Sequence, residues 1–295
     1  FYINMKRRNI LTVVFSLLCA ATIMAQNVEN EKTGILLVHY GTSNDKSRAQ
    51  TIDKLNTRVT DTFPDCAVVE AYSAPSVIKT LAKRGIKKLN VSQALDSLKA
   101  LGCNKLVVQS TMLLDGVMTE MLRKEVGKVK NDFRAVSVVR PLLYSVDDCH
   151  TMIEMLNKSI LEDKSVVAKS SQVVLVGHGS DSPANAMYCQ IDYLLKAEGK
   201  SSWHVGTIEG FPTIENVEQQ LRNSKNKNVI LVPLLYIAGN HQKDDIDGVW
   251  KTQLQTKGYH VDVLGKGLGE MAEIQDMIIA KIDAQIKAVN SEKAE

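Results

Sequence analysis

Two histidines and a glutamate carry the chemistry this sequence offers. His178 stands between Gly177 and Gly179 at the end of the apolar run Val173–Val176. Glu209 closes the segment VGTIEGFP, and His241 lies in AGNHQKDD, just after a long apolar run. Neutral imidazoles ligate divalent transition metals, with His-rich sites suiting Co, Fe, Ni and Zn, and they accept protons near neutral pH. A carboxylate beside them adds a third ligand or a base. Taken singly, each residue has a plainer reading: a hydrogen-bonded turn for His178, a helix cap for Glu209, a solvated loop for His241. Three separate strand ends supplying all three together argue for one site that handles a divalent metal and protons. The glycines flanking His178 are expected to clear space for a ligand.

Competing chemistries lack their motifs. GHGSDS is not the G-x-S-x-G nucleophile elbow, and GKGLGE from Gly265 lacks the G-x-G-x-x-G spacing. No G-x-x-x-x-G-K-[ST] phosphate loop occurs, so no organic cofactor is expected.

The elements that must position these residues alternate in period. Short β-branched runs are expected as strands at 34–39, 67–71, 105–110, 135–139, 172–176, 204–208, 228–233 and 260–263. Helical periods are expected between them at 47–62, 76–84, 92–101, 116–129, 147–161, 184–197, 214–223 and 244–256. This β-α alternation predicts parallel sheets with crossover helices.

The pattern also repeats once. ILLVHYGTSNDKSRAQTID from Ile35 matches VLVGHGSDSPANAMYCQID from Val174; VVEAYSAP from Val68 matches TIEGFPTI; and KLVVQSTMLLDGVM from Lys105 matches NVILVPLLYIAGNH. With ILLVHYG from Ile35 set on VVLVGHG from Val173, the repeat pairs Tyr40 with His178, Glu70 with Glu209 and Met118 with His241. The expected fold is α/β: two similar doubly wound parallel-sheet domains, 26–163 and 164–295, facing a central cleft. Ligands of such sheets bind beyond the carboxyl ends of the strands, where all three pairs fall. Only the second half has a protonatable residue at each position, so a single site is expected there, walled by the first half.

Residues 1–25 read as an address. With Met5 as the start, Lys6, Arg7 and Arg8 precede an apolar stretch, and Ile23-Met24-Ala25 before Gln26 fits cleavage of a secretory signal. Export to the periplasm is expected, with lipid attachment at Cys19 as the alternative. That apolar stretch is short for a membrane span. The formal net charge of +3 is the leader's three basic residues, since 36 − 3 = 33 basic residues balance 33 acidic ones. No face for nucleic acid is implied. Cys66, Cys103, Cys149 and Cys189 show neither a disulfide-scaffold nor a zinc spacing, and read as buried thiols. The sequence leaves open whether the chain forms a homo-oligomer.

Several of these segments together resemble the class II tetrapyrrole chelatases, the anaerobic cobaltochelatase (CbiK) family in particular. They are Gly41-Thr42-Ser43 after the first strand, GHG around His178, V-G-x-x-E-G-F-P around Glu209, P-L-x-x-x-A-G-x-H ending at His241, and W-K-x-x-L-x-x-x-G-Y from Trp250 followed by GLGE. The resemblance implies that His178, Glu209 and His241 bind metal and catalyse. It implies insertion of Co2+, or Fe2+ or Ni2+, into a tetrapyrrole partner such as sirohydrochlorin held between the halves. Tyr40, Gly41, Thr42, Ser43, Leu113, Leu114 and Tyr236 are expected to contact the ring. The aspartates Asp244, Asp245 and Asp247 read either as a relay or as a helix first turn that opposes the dipole. His39 departs from the family pattern. Together with export it motivates a second reading, a protein that holds or strips haem, with His39 as an axial ligand or as a buried flank.

Overall fold

Runs such as ILLV and VVLV carry apolar side chains on both faces, and only a strand covered on both sides satisfies them. In the structure, a computed structural model that describes residues 31–162 and 171–291, every residue of the strands Thr33–His39 and Gln172–Gly177 is buried. The expected leader at 1–25 and the expected division at 163/164 lie outside the described residues.

The first half contains β1 (Thr33–His39), helix α1 (45–62, with a π segment at Ala49–Asp53), β2 (Ala67–Tyr72), α2 (Pro75–Ala82), α3 (Val91–Ala100), β3 (Lys105–Ser110), α4 (Val117–Val129), β4 (Ala135–Val138) and α5 (Val146–Glu162). The second contains β5 (Gln172–Gly177), α6 (Ala186–Ala197), β6 (Trp203–Thr207), α7 (Ile214–Arg222), β7 (Asn228–Leu234), α8 (241–256, opening with a π segment at His241–Trp250), β8 (His260–Val263) and α9 (Ala272–Ser291). Each half forms a four-stranded parallel sheet, ordered β2-β1-β3-β4 and β6-β5-β7-β8. The fold is thus α/β and internally repeated, as the sequence pattern requires.

The closing helices are exchanged. Helix α5 ends the first half yet packs on α6, placing Cys149, Met152, Ile153 and Leu156 in one core with Val173, Leu175, Tyr188 and Ile191. Helix α9 ends the second half yet lies on β3 and β4 of the first sheet. Polar contacts fix its course: Lys105 Nζ donates to Asn290 Oδ1 at 3.0 Å, Ser137 Oγ to Gln285 Oε1 at 2.6 Å, and Lys281 Nζ to Asp148 Oδ1 at 2.8 Å. The described residues from Thr33 onward accordingly form one compact unit with a continuous main core.

All four cysteines of the described residues are free thiols, and burial pushes Cys149 up to about 11, which keeps it protonated and unreactive. Among the described residues no helix is long and apolar enough to cross a membrane.

Two buried imidazoles make stability depend on pH. His39 is fully buried, with Nδ1 against Thr111 Oγ1 at 3.1 Å and Nε2 against Asn56 Oδ1 at 3.0 Å. His204 is held between Gln172 and Gln220. Burial lowers both pKa values, so the folded state keeps these rings neutral while the unfolded chain takes up protons below about pH 6.5. Their contribution is complete above that pH and is lost as the pH falls, by up to about 1.4 kcal/mol per pH unit for each ring. Tm measured between about pH 7 and pH 5 should therefore fall, and His39→Gln should flatten the slope. A slope unchanged in that variant would mean that His39 does not contribute.

Candidate metal site and its family

Register brings the strands that precede the candidate residues to one edge. In the second sheet Gly177 stands opposite Thr207 on one side and Leu234 on the other, so β5, β6 and β7 end at one level. His178 follows β5 directly, Glu209 comes two residues after β6, and His241 opens α8 beyond β7.

His178 and His241 meet. Their ring centroids lie 4.7 Å apart, edge to face at 83°. His178 Nδ1 lies 3.3 Å from the carbonyl oxygen of Gly179, and His241 Nδ1 lies 2.8 Å from Asp245 Oδ2. A carbonyl or carboxylate only accepts, so this geometry puts a proton on Nδ1 of each ring and, in the neutral tautomer, leaves Nε2 a lone pair for a ligand. Asp245 stands one helical turn beyond His241 and does for it what an outer carboxylate does for a metal-bound histidine, fixing tautomer and ring plane. The aspartate that the sequence leaves between relay and helix turn thus holds the His241 ring. Segment 241–250 is itself anchored through Ile246 and Trp250, both buried against Val217.

Glu209 is placed differently from the expectation. Its backbone N–H donates to the His178 carbonyl at 2.7 Å, which locks its loop beside the histidine turn, but its side chain is exposed. Among the described residues no three His, Cys, Asp or Glu side chains form a group able to hold a metal ion. The structure assembles the two histidines and leaves the glutamate at the rim.

The glycines around His178 also have a different reason from the one expected. A Cβ on Gly177 would lie 2.1 Å from the Tyr188 ring, and one on Gly179 would lie 1.8 Å from the Glu209 carbonyl oxygen. They admit Tyr188 and the 209–210 backbone rather than a ligand. Tyr188, missed by the sequence reading, supports the turn: its hydroxyl accepts from the Gly179 N–H at 3.3 Å.

The expected ring contacts divide. Tyr40 is 51% exposed, and Leu113 and Leu114 are half-buried at the edge of the core. Gly41 is buried, and Thr42 and Ser43 are half-buried in a turn that caps α1: Thr42 Oγ1 accepts from the Asn44 N–H, and Asn44 accepts from the Ser47 N–H. That turn approaches the loop after β7, where Ser47 Oγ donates to the Ala238 carbonyl at 3.2 Å. Tyr236 is a correction. It is buried in the core against residues 267–269, its hydroxyl has no hydrogen-bond partner, and burial raises its pKa. A side chain enclosed in this way has no face for a flat ring. His39 likewise is no axial ligand, since both of its nitrogens are hydrogen-bonded within the first half.

The model of one protein family, the cobalt chelatase (CbiK), matches residues 33–287. The chain belongs to the cobalt chelatase (CbiK) family. Its activity is therefore of the chelatase class. Similar curated proteins include the sirohydrochlorin cobaltochelatase of Salmonella typhimurium, 27% identical over 268 residues, covering 89% of this chain and 100% of that relative. The sirohydrochlorin cobaltochelatase CbiKC of Nitratidesulfovibrio vulgaris is 26% identical over 272 residues, covering 90% of this chain and 94% of the relative. Among solved structures, SirB from Bacillus subtilis with Fe3+ superposes with a TM-score of 0.66 at 14% identity, covering 90% of this chain and 100% of that one. At that identity the likeness is one of fold.

If Asp245 orients His241, Asp245→Ala in this chelatase should weaken Co2+ binding about 10- to 100-fold. Calorimetric titration with Co2+ checks it; unchanged affinity would return Asp245 to a helix-turn role.

Proposed function

We propose that this chelatase inserts Co2+, or Fe2+ or Ni2+, into sirohydrochlorin or a closely related tetrapyrrole, with His178 and His241 presenting the metal and Glu209 taking up protons. The observation that carries this reading is the edge-to-face histidine pair beyond the carboxyl ends of the second sheet's strands, with each Nδ1 facing an acceptor. The printed names of the two curated relatives supply the ring.

The chemistry follows from the placement. Insertion exchanges two pyrrole protons for one M2+, so the site must present the ion to one face of the ring and give two protons a way out. Two neutral imidazoles leave the ion partly hydrated and open on one side. Glu209, exposed and hydrogen-bonded through its backbone to His178, can pass protons to water. The ring would lie between the loops that follow the strands of the two halves, with Tyr40, Leu113 and Leu114 offering contact surface.

The test is an anaerobic absorbance assay with sirohydrochlorin and each of Co2+, Fe2+ and Ni2+. Metal-dependent loss of the free-ring spectrum is expected. Glu209→Gln should lower kcat about a hundredfold with ring binding nearly unchanged. Equal losses in turnover and ring binding would remove Glu209 from proton transfer.

Export is part of the proposal and rests on the leader-like residues 5–25; cell fractionation decides it. The haem-holding alternative has lost His39 as a ligand. A haem titration run beside the insertion assay keeps it testable, a stoichiometric band shift without insertion being its signature.

A further inference from the structure

The turn that carries His178 and the loop that carries Glu209 come from different strands, yet one side chain spans them. Asn185 Oδ1 accepts from the Ser180 N–H at 3.1 Å, and Asn185 Nδ2 donates to the Phe211 carbonyl at 2.7 Å. The amide satisfies both partners in one orientation only, since the oxygen must meet the N–H and the nitrogen the carbonyl. Asn185 is itself fixed. Its N–H donates to the Ser182 carbonyl at 3.0 Å, and Ser180 Oγ meets Ser182 Oγ at 2.8 Å within the same turn. The fit against the far loop is close, for a Cβ on Gly210 would lie 2.6 Å from Asn185 Oδ1.

The bridge flanks both functional residues. It ties the chain two residues after His178 to the chain two residues after Glu209, and the Glu209 N–H bond to the His178 carbonyl closes the other side. Beyond the Ile208 N–H bond to the Gly177 carbonyl at the loop's base, this last bond would otherwise join the exposed 209–211 tip to the histidine turn, and a single hydrogen bond is worth about 1 kcal/mol.

We infer that Asn185 is a positioning residue, a clasp that holds the Glu209 loop at a fixed distance from the histidine pair. It touches neither metal nor ring. The inference rests on the proposed division of labour between the histidines and Glu209. On that division, loss of the clasp should spare metal capture, which belongs to the histidines, and impair turnover, which needs Glu209 in place.

The experiment compares Asn185→Ala and Asn185→Asp with the unaltered chain in three readouts: Co2+ affinity without the ring, kcat and KM for insertion into sirohydrochlorin, and hydrogen exchange at the Glu209 amide. Asn185→Ala removes both arms. Asn185→Asp keeps the acceptor for Ser180 and sets an oxygen against the Phe211 carbonyl. Both are expected to lower kcat about tenfold, hold Co2+ affinity within about threefold, and speed exchange at Glu209 about tenfold. Unchanged kcat and exchange would overturn the clasp. So would a parallel fall in Co2+ affinity and Tm, which marks a general folding role. Should the unaltered chain insert no metal, the functional proposal falls by itself. Exchange at Glu209 then decides the clasp alone: faster exchange in both variants supports it, and unchanged exchange overturns it.

Discussion

His178→Ala is expected to slow metal insertion about a thousandfold or more while shifting Tm by less than about 2 °C. The asymmetry follows from what the side chain touches. His178 is half-buried and makes one long hydrogen bond, 3.3 Å, to a neighbouring carbonyl, so truncation costs the fold little. The metal loses one of only two imidazoles that meet at the site. An outer partner of a metal ligand is already worth about 10- to 100-fold, and the ligand itself is worth more. A single remaining imidazole cannot chelate. His241→Ala should therefore match His178→Ala, and the double variant should add almost nothing, because residues that act as a unit are not additive. Initial rates in the anaerobic assay, with Tm measured on the same samples, decide it. A loss below tenfold in either single variant would mean that the pair does not present the metal.

Much of this arrangement was legible because it depends on backbone period. Strands Lys105–Ser110 and His260–Val263 appear at the residues expected, and Gln172–Gly177 extends its expectation by one. Continuous β-branched runs buried on both faces admit little else. The strand ends follow from the strands, so the common level at which β5, β6 and β7 end could be read as well. Helix α9 was not among the expected elements, although Ile274, Ile278 and Ile282 recur at four-residue spacing and are fully buried. Nor does any period say that α9 covers the sheet of the other half. That exchange is set by tertiary contacts such as Lys105 to Asn290.

What stayed hidden is the direction of side chains once the backbone turns. Tyr236 follows β7 by two residues and looks as eligible for a ligand wall as Tyr40, yet it points into the core. Asp245 and Asp244 are neighbours of one type in sequence, and only the helical step of four places Asp245 on His241. GHG reads as space for a ligand. Whether a ligand or the protein itself fills that space depends on Tyr188 and on a loop some thirty residues downstream.

That last point yields the second large effect. Gly179→Ala is expected to destabilise the fold by about 3 kcal/mol or more and to abolish insertion in the fraction that folds. Gly179 has φ +92°, where an L side chain meets its own backbone at about 1–2 kcal/mol, and its Cβ would lie 1.8 Å from the Glu209 carbonyl oxygen and 2.3 Å from its carbon. Backbone cannot rotate out of the way as a rotamer can, so the 209 loop must move and carry Glu209 with it. Gly177→Ala is the control. The atoms nearest its Cβ belong to the Tyr188 ring, the first at 2.1 Å, and overpacking of that kind costs about 1–3 kcal/mol. In urea titrations Tyr188→Leu should recover part of the loss in Gly177→Ala, whose Cβ meets the Tyr188 ring, and should add to the loss in Gly179→Ala, whose Cβ meets the Glu209 backbone and whose N–H would lose its bond to the Tyr188 hydroxyl. Equal recovery in both would mean that the histidine turn rests on Tyr188 alone. A mild effect of Gly179→Ala would mean that the Glu209 loop yields freely, and a loop that yields freely cannot hold its carboxylate for proton transfer.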